Sequence, residues 1–280
     1  MTDAVQKTDA AQTTTSKPAA TSGFLFSLSA GNLDRVMNVA SPVFLLLLWE
    51  AAARFGWIDV RFFPAPSKIF QTMFTLIENG QLWIHLKASM YRLWWGFLFG
   101  AIPALLLGIS MGLSRPLRAI CDPLVAATYP IPKSAILPLI LLIFGLGEAS
   151  KIVMVAIGLF FPILINTMAG VLEIPKIYFD VSKNFNASKL QVFRTVALPG
   201  AMPMIMTGVK LGVGLGLILI SLAEMVGAKS GLGYMMWNAW EILSVETMYV
   251  GLIVIAILGI LFTLILNEVE RYLVPWKNTR

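Results

Sequence analysis

Apolar residues run in long unbroken blocks along this chain, and three blocks pass without a single charge: Leu93–Leu113, Ile152–Leu172 and Thr247–Asn267. A helix needs about 20 such residues to cross the ~30 Å of hydrocarbon in a bilayer. Two further blocks are long enough but carry ionisable groups. Pro123–Leu146 holds Lys133, and Ala201–Ala228 holds Lys210 and Glu224. Val36–Ala53 is shorter and carries Glu50. The pattern predicts six membrane-spanning helices, with both termini on one side. Strands are excluded, because the runs are too long for barrel strands and lipid-facing backbone must be satisfied within each segment.

The flanks read differently. Residues 1–30 are rich in Ala, Thr, Ser, Lys and Asp and are expected to be a disordered cytoplasmic tail. Asp3 and Asp9 argue against a signal peptide. A membrane domain is expected over 31–275, with a short tail at 276–280. Between the first two spans, Pro66 to Ile77 reads as an amphipathic helix lying in the interface. The 28-residue loop 173–200 has apolar positions at 178, 181 and 185, a helical face. Asn186-Ala187-Ser188 interrupts it. Ser188 with Gln191 then forms a capping box for a second short helix, expected to stop at Pro199.

Small residues recur at every fourth position: Gly96, Gly100, Ala104, Gly108 and Gly112, and again Gly208, Gly212 and Gly216. Such ladders bring helix backbones close together, within one subunit or at a seam between two. Orientation follows from the short loops. With the amino terminus inside, loops 114–118 and 173–200 carry six Lys or Arg, whereas loops 147–151 and 229–246 carry only Lys151 and Lys229. The positive-inside rule then places both ends in the cytoplasm.

Composition removes the competing classes. Of the 280 residues, 58% are apolar and 13% charged, about half the charge of a soluble domain. The net charge of +6 has no basic stripe behind it, so nucleic acid is not expected as a partner. One His (His85) and one Cys (Cys121) cannot assemble a zinc site, and no internal disulfide is possible. No catalytic residue and no metal site are expected. The chain has no Gly-Lys dipeptide, hence no phosphate-cradling loop of its own. Transport is the expected role, through an all-α membrane fold. Polar groups within the spans are costly unless paired or wetted, which makes Lys133, Ser134, Lys210 and Glu224 the candidates for a substrate pathway. Lys133 could guide an anion, or cap the carbonyls that Pro130 and Pro132 free. Glu224 could line the pathway or pair structurally.

The stretch Asp180-Val-Ser-Lys-Asn-Phe-Asn-Ala-Ser-Lys-Leu-Gln-Val-Phe-Arg-Thr-Val-Ala-Leu-Pro199 resembles the EAA loop of ABC importer permeases. Asp180 stands where that motif has Glu, Val181 and Ser182 where it has Ala, Asn186 where it has Gly, and Leu198-Pro199 match its final pair. Pro64-Ala-Pro-Ser67, Pro130-Ile-Pro-Lys-Ser-Ala135, Phe144-Gly-Leu-Gly-Glu148, Phe161-Pro-Ile-Leu164, Ala223-Glu-Met-Val-Gly-Ala228 and Gly231-Leu-Gly-Tyr234 are similar to the nitrate, sulfonate and taurine branch, which also takes in bicarbonate. The resemblance covers residues 36–275 and implies a type I importer fold in the inner membrane. It implies a pore made with a second permease copy, two cytoplasmic ATPase subunits holding ATP and Mg, and an external solute-binding protein. Asp180, Val181, Ser182, Phe185, Asn186, Ala187, Leu198 and Pro199 would couple to the ATPase. The solute would be nitrate, bicarbonate, a sulfonate or taurine, or a vitamin precursor. A secondary transporter is the alternative class; it would need a mid-membrane carboxylate, for which Glu224 is the candidate.

Overall fold

A computed structural model describes residues 30–276, which are helical with short connections. The expected tails fall almost wholly outside these residues. In chain order the helices are α1 (Ala30–Arg54), α2 (Pro66–Glu78), α3 (Gln81–Leu113), α4 (Arg115–Thr128), α5 (Leu137–Phe144), α6 (Glu148–Leu172), α7 (Lys176–Asn184), α8 (Lys189–Val192), α9 (Leu198–Met225), α10 (Leu232–Glu241) and α11 (Val245–Leu273). A tight 3-10 turn, Lys133–Ile136, leads into α5, and a wide π turn, Phe193–Ala197, joins α8 to α9. Two units divide within α1, residues 1–48 and 49–280. In the first, Phe44, Leu45 and Leu47 are exposed apolar side chains on a helix, a surface suited to hydrocarbon. The rest of this description concerns the second.

Among the described residues, four helices are long and apolar enough to cross a membrane: α3, α6, the joined helix Lys189–Met225, and α11. Taken together, Arg115–Thr128 and Lys133–Phe144 are also long and apolar enough, but they are bent by 86° at their break. The bend has a local cause. Pro130 and Pro132 offer no N–H, so the ladder of helix hydrogen bonds cannot continue through them. The first expected span, Val36–Ala53, is helical within α1 and stands outside that count.

Helix α6 lies between α3 and α9, and the glycine ladders explain how. On α3, Gly96 faces Val155, Gly100 faces Ala156, Gly108 faces Leu164 and Thr167, and Gly112 faces Val171. A Cβ at Gly100 would come within 2.6 Å of the Ala156 carbonyl oxygen, a main-chain atom that cannot step aside. On α9, Gly208 meets Pro162 and Asn166 in the same way. The ladders are therefore seams inside one subunit. Around them Leu159, Ile163, Leu164, Ala104 and Ala201 are fully buried. Gly100→Leu should break this seam, because overpacking of about 1–3 kcal/mol falls on two rigid backbones. Gly214→Leu, with nothing within 4 Å, is the control. The measurement is the thermal unfolding midpoint in detergent, with a clear fall expected for Gly100→Leu only.

Three elements differ from the sequence-based expectation. Helix α3 starts at Gln81, not Leu93, so His85, Ser89 and Arg92 belong to it. The loop expected at 229–246 contains α10. The helix after the capping box does not stop at Pro199 but runs on to Met225. A π turn precedes it, in which the Leu198 N–H donates to the Phe193 carbonyl, and Pro199 enters at the start of α9, where a missing N–H is tolerated.

Candidate functional site

The loop between α6 and α9 folds as a helix, a left-handed turn and a capped helix. At the end of α7, the Ala187 N–H donates to the Ser182 carbonyl and the Asn186 N–H to that of Lys183, both at 2.9 Å. These two bonds make a Schellman ending, which requires the residue after the cap to be left-handed. Asn186 fills that place with φ 51°, and asparagine is the side chain best suited to it after glycine. Ser188 and Gln191 then cap each other's backbone, starting α8. No residue of α7 is buried. Ile177, Tyr178, Val181 and Phe185 instead present an apolar surface, with Phe185 83% exposed. Asp180 and Asn186 are exposed beside them, while Ser182 and Ala187 are half-buried beneath. Leu198 and Pro199 lie apart from this knob, half-buried at the start of α9. An exposed apolar knob on a rigid capped frame fits a groove on another protein.

The second region is a buried ionic cluster at the opposite end of the bundle. Along one face of α3, His85, Ser89 and Arg92 follow at helical spacing. The Nη1 of Arg92 donates to Glu224 Oε1 at 2.8 Å and to the Ser230 carbonyl at 2.7 Å. Its Nε and Nη2 fork onto the Glu148 carboxylate at 2.6 and 2.7 Å. The Ser89 hydroxyl donates to Glu224 at 2.8 Å and accepts from the Leu232 N–H at 2.8 Å. Glu224 also accepts from the Gly233 N–H at 2.9 Å, and His85 Nδ1 from the Gly231 N–H at 3.2 Å. Gly231 has φ +121°, and a Cβ there would run into the Glu224 carboxylate. The Glu224 carboxylate thus joins α3, α9 and α10, while Arg92 and His85 hold the segment before α10. Glu224 and Arg92 are buried, whereas the Glu148 side chain is 55% exposed.

The remaining ionisable candidates are also engaged. Lys210 pairs with Glu270 across α9 and α11. The Lys133 ammonium donates to the carbonyls of Thr128, Tyr129 and Ile131, each at 3.0 Å, and sits 4.2 Å from the centre of the Phe161 ring. All three of its N–H bonds are used. It edges a cavity of about 430 Å³ whose walls include Phe99, Ile157 and Phe160. Ser134 beside it is exposed. The structure does not gather Lys133, Lys210 and Glu224 into one site. Sequence reasoning passed over Arg92, Ser89, Glu148 and Lys151. The available signal was the helical spacing of His85, Ser89 and Arg92.

Long apolar helices packed on glycine seams, with a small exposed helix pair between α6 and α9, are the frame of a membrane-embedded subunit. The sequence profile of the family described as "Binding-protein-dependent transport system inner membrane component" matches residues 96–279. The chain belongs to this family. It is 34% identical over 247 residues to the taurine transport system permease protein TauC of Escherichia coli, covering 86% of this chain and 90% of that one. It is 36% identical over 245 residues to the putative aliphatic sulfonates transport permease protein SsuC of Escherichia coli, covering 88% and 93%. The Bacillus subtilis protein of the same description is 33% identical, covering 85% and 86%. Among solved structures, an inward-facing conformation of the MetNI methionine ABC transporter matches with a TM-score of 0.59 at 21% identity, covering 69% of this chain and 98% of that chain. The fold is that of a type I importer permease, and the chain is the transmembrane permease subunit of an ABC importer, not an enzyme. Membership of the family implies ATPase and solute-binding partners and an inner-membrane location.

Proposed function

We propose that two copies of this chain form the pore of an importer for small organosulfonates of the taurine and alkanesulfonate class. Both termini lie in the cytoplasm, and the knob 176–192 of each copy docks on one of two ATPase subunits that hold ATP and Mg. An external binding protein delivers the solute. The exposed apolar knob carries this reading, because its frame is rigid while its outer side chains are unpartnered within the subunit. The sulfonate class is supported by the taurine and sulfonate relatives. The alternative of a secondary transporter loses its candidate carboxylate, since Glu224 is bound by Arg92, Ser89 and the Gly233 N–H.

The test is uptake into proteoliposomes holding the complete transporter with its binding protein. Taurine or an alkanesulfonate should accumulate only with internal ATP. Preferential uptake of nitrate, bicarbonate or a vitamin precursor would overturn the sulfonate class. Accumulation without ATP would overturn the importer reading.

A further inference from the structure

We propose that the groove between α3, α9 and α11 is a binding site for an anionic phospholipid, with one acyl chain along the groove and the headgroup phosphate at Lys87. The inference needs a membrane-embedded subunit and is independent of which solute the pore carries.

Helix α11 is attached at two places. Its buried residues, Val250, Gly251, Val254 and Leu258, all lie in its first half. Near its far end, Glu270 pairs with Lys210 of α9. Between these attachments the helices stand apart around a groove of about 390 Å³. Met90, Trp94 and Phe97 of α3, Val213 of α9, and Phe262 and Leu266 of α11 line it. Trp94 forms an exposed rim, and the walls are almost wholly apolar.

The walls select the occupant. Helices of this subunit close on one another where glycines let the backbones meet, as along α3 and α6. None of the residues lining the groove is small, so a helix of a second copy, about 10 Å across, does not seat between them. An acyl chain does. A methylene is close in size to a water molecule, which takes about 30 Å³, so the groove holds a run of roughly a dozen carbons. Lipid tails are all equally apolar, and a preference among lipids must therefore come from the headgroup. Lys87, Met90, Trp94 and Phe97 follow at spacings of three, four and three along one face of α3. Lys87 is exposed one turn beyond Met90, where its ammonium meets a phosphate at the end of the chain. The opposite end is closed by the Lys210–Glu270 pair, whose charges already satisfy each other.

The test is photo-crosslinking in the complete transporter, with Trp94→benzoylphenylalanine as the reporter and Leu106→benzoylphenylalanine, exposed elsewhere on α3, as the control. The transporter is held in liposomes of equal parts phosphatidylglycerol and phosphatidylcholine, and the mass of each adduct identifies the occupant. At 94, phosphatidylglycerol adducts should outnumber phosphatidylcholine adducts by about fivefold, as one cation near an anionic lipid provides; at 106 the two should be equal. Lys87→Gln, an exposed change that spares the core, should bring position 94 to parity. Leu266→Trp should do so too, by filling the groove while Lys87 stays. Parity at 94 in the parent overturns the site, and so does an adduct to a second permease copy. A preference that survives Lys87→Gln overturns the headgroup assignment, and one that survives Leu266→Trp overturns the groove as the seat of the chain. Uptake by the unsubstituted complex reports separately on the importer reading.

Discussion

Deleting residues 180–187 should leave the helix bundle folded and abolish the stimulation of ATP hydrolysis by loaded binding protein. No residue of α7 is buried, so the bundle loses no core when the knob goes. The subtler variant is Phe185→Ala. Phe185 is exposed in the subunit, so its truncation should not change the unfolding midpoint. A central aromatic at an interface commonly carries about 2 kcal/mol or more, which corresponds to roughly 30-fold weaker ATPase binding. Asn186→Trp should act differently, by forcing a bulky side chain into the left-handed region at a cost of about 1–2 kcal/mol and loosening the Schellman turn. Asn186→Gly should be harmless. ATP hydrolysis by the purified assembly, with and without loaded binding protein, measures all four. Stimulation that survives the deletion would remove the knob from the coupling path.

Much of this architecture was legible because hydrocarbon imposes simple rules. A charge-free run of some twenty residues has one stable backbone solution, so α6 and α11 could be read directly. The knob was legible for a local reason. A capping box and a left-handed turn depend on residues a few positions apart, so Ser188, Gln191 and Asn186 declare them without tertiary information. What escaped depends on distant partners. Ending the second span at the first charge cut α3 short at Leu93, because Arg92 is tolerable in a membrane through Glu148 and Glu224, 56 and 132 positions away. Lys151 was counted as a loop charge, yet its ammonium turns back to the carbonyls of the preceding break. At Pro199, the general rule that proline ends a helix met a π turn and a new helix start, which no short motif announces.

Arg92→Met should be the most destabilising single change in the buried ionic cluster. It strands the Glu224 carboxylate, which is wholly buried, with only Ser89 and the Gly233 N–H as donors. Breaking a buried ion pair from one side costs about 3–5 kcal/mol, because the surviving charge cannot be rehydrated. Glu224→Gln should cost less, since Arg92 keeps its fork on Glu148. Glu148→Gln should cost least, because that carboxylate is more than half exposed and water already screens it. The double variant Arg92→Met with Glu224→Gln should recover much of the loss by removing both charges. The measurement is the unfolding midpoint of the detergent-solubilised subunit for all four variants, read as a double-mutant cycle. If Arg92→Met and the double variant are equally unstable, charge pairing is not what holds the segment before α10 to α3. If the double variant is restored, the same ion pair that excludes Glu224 from ion coupling also ties α3, α6, α9 and the start of α10 together.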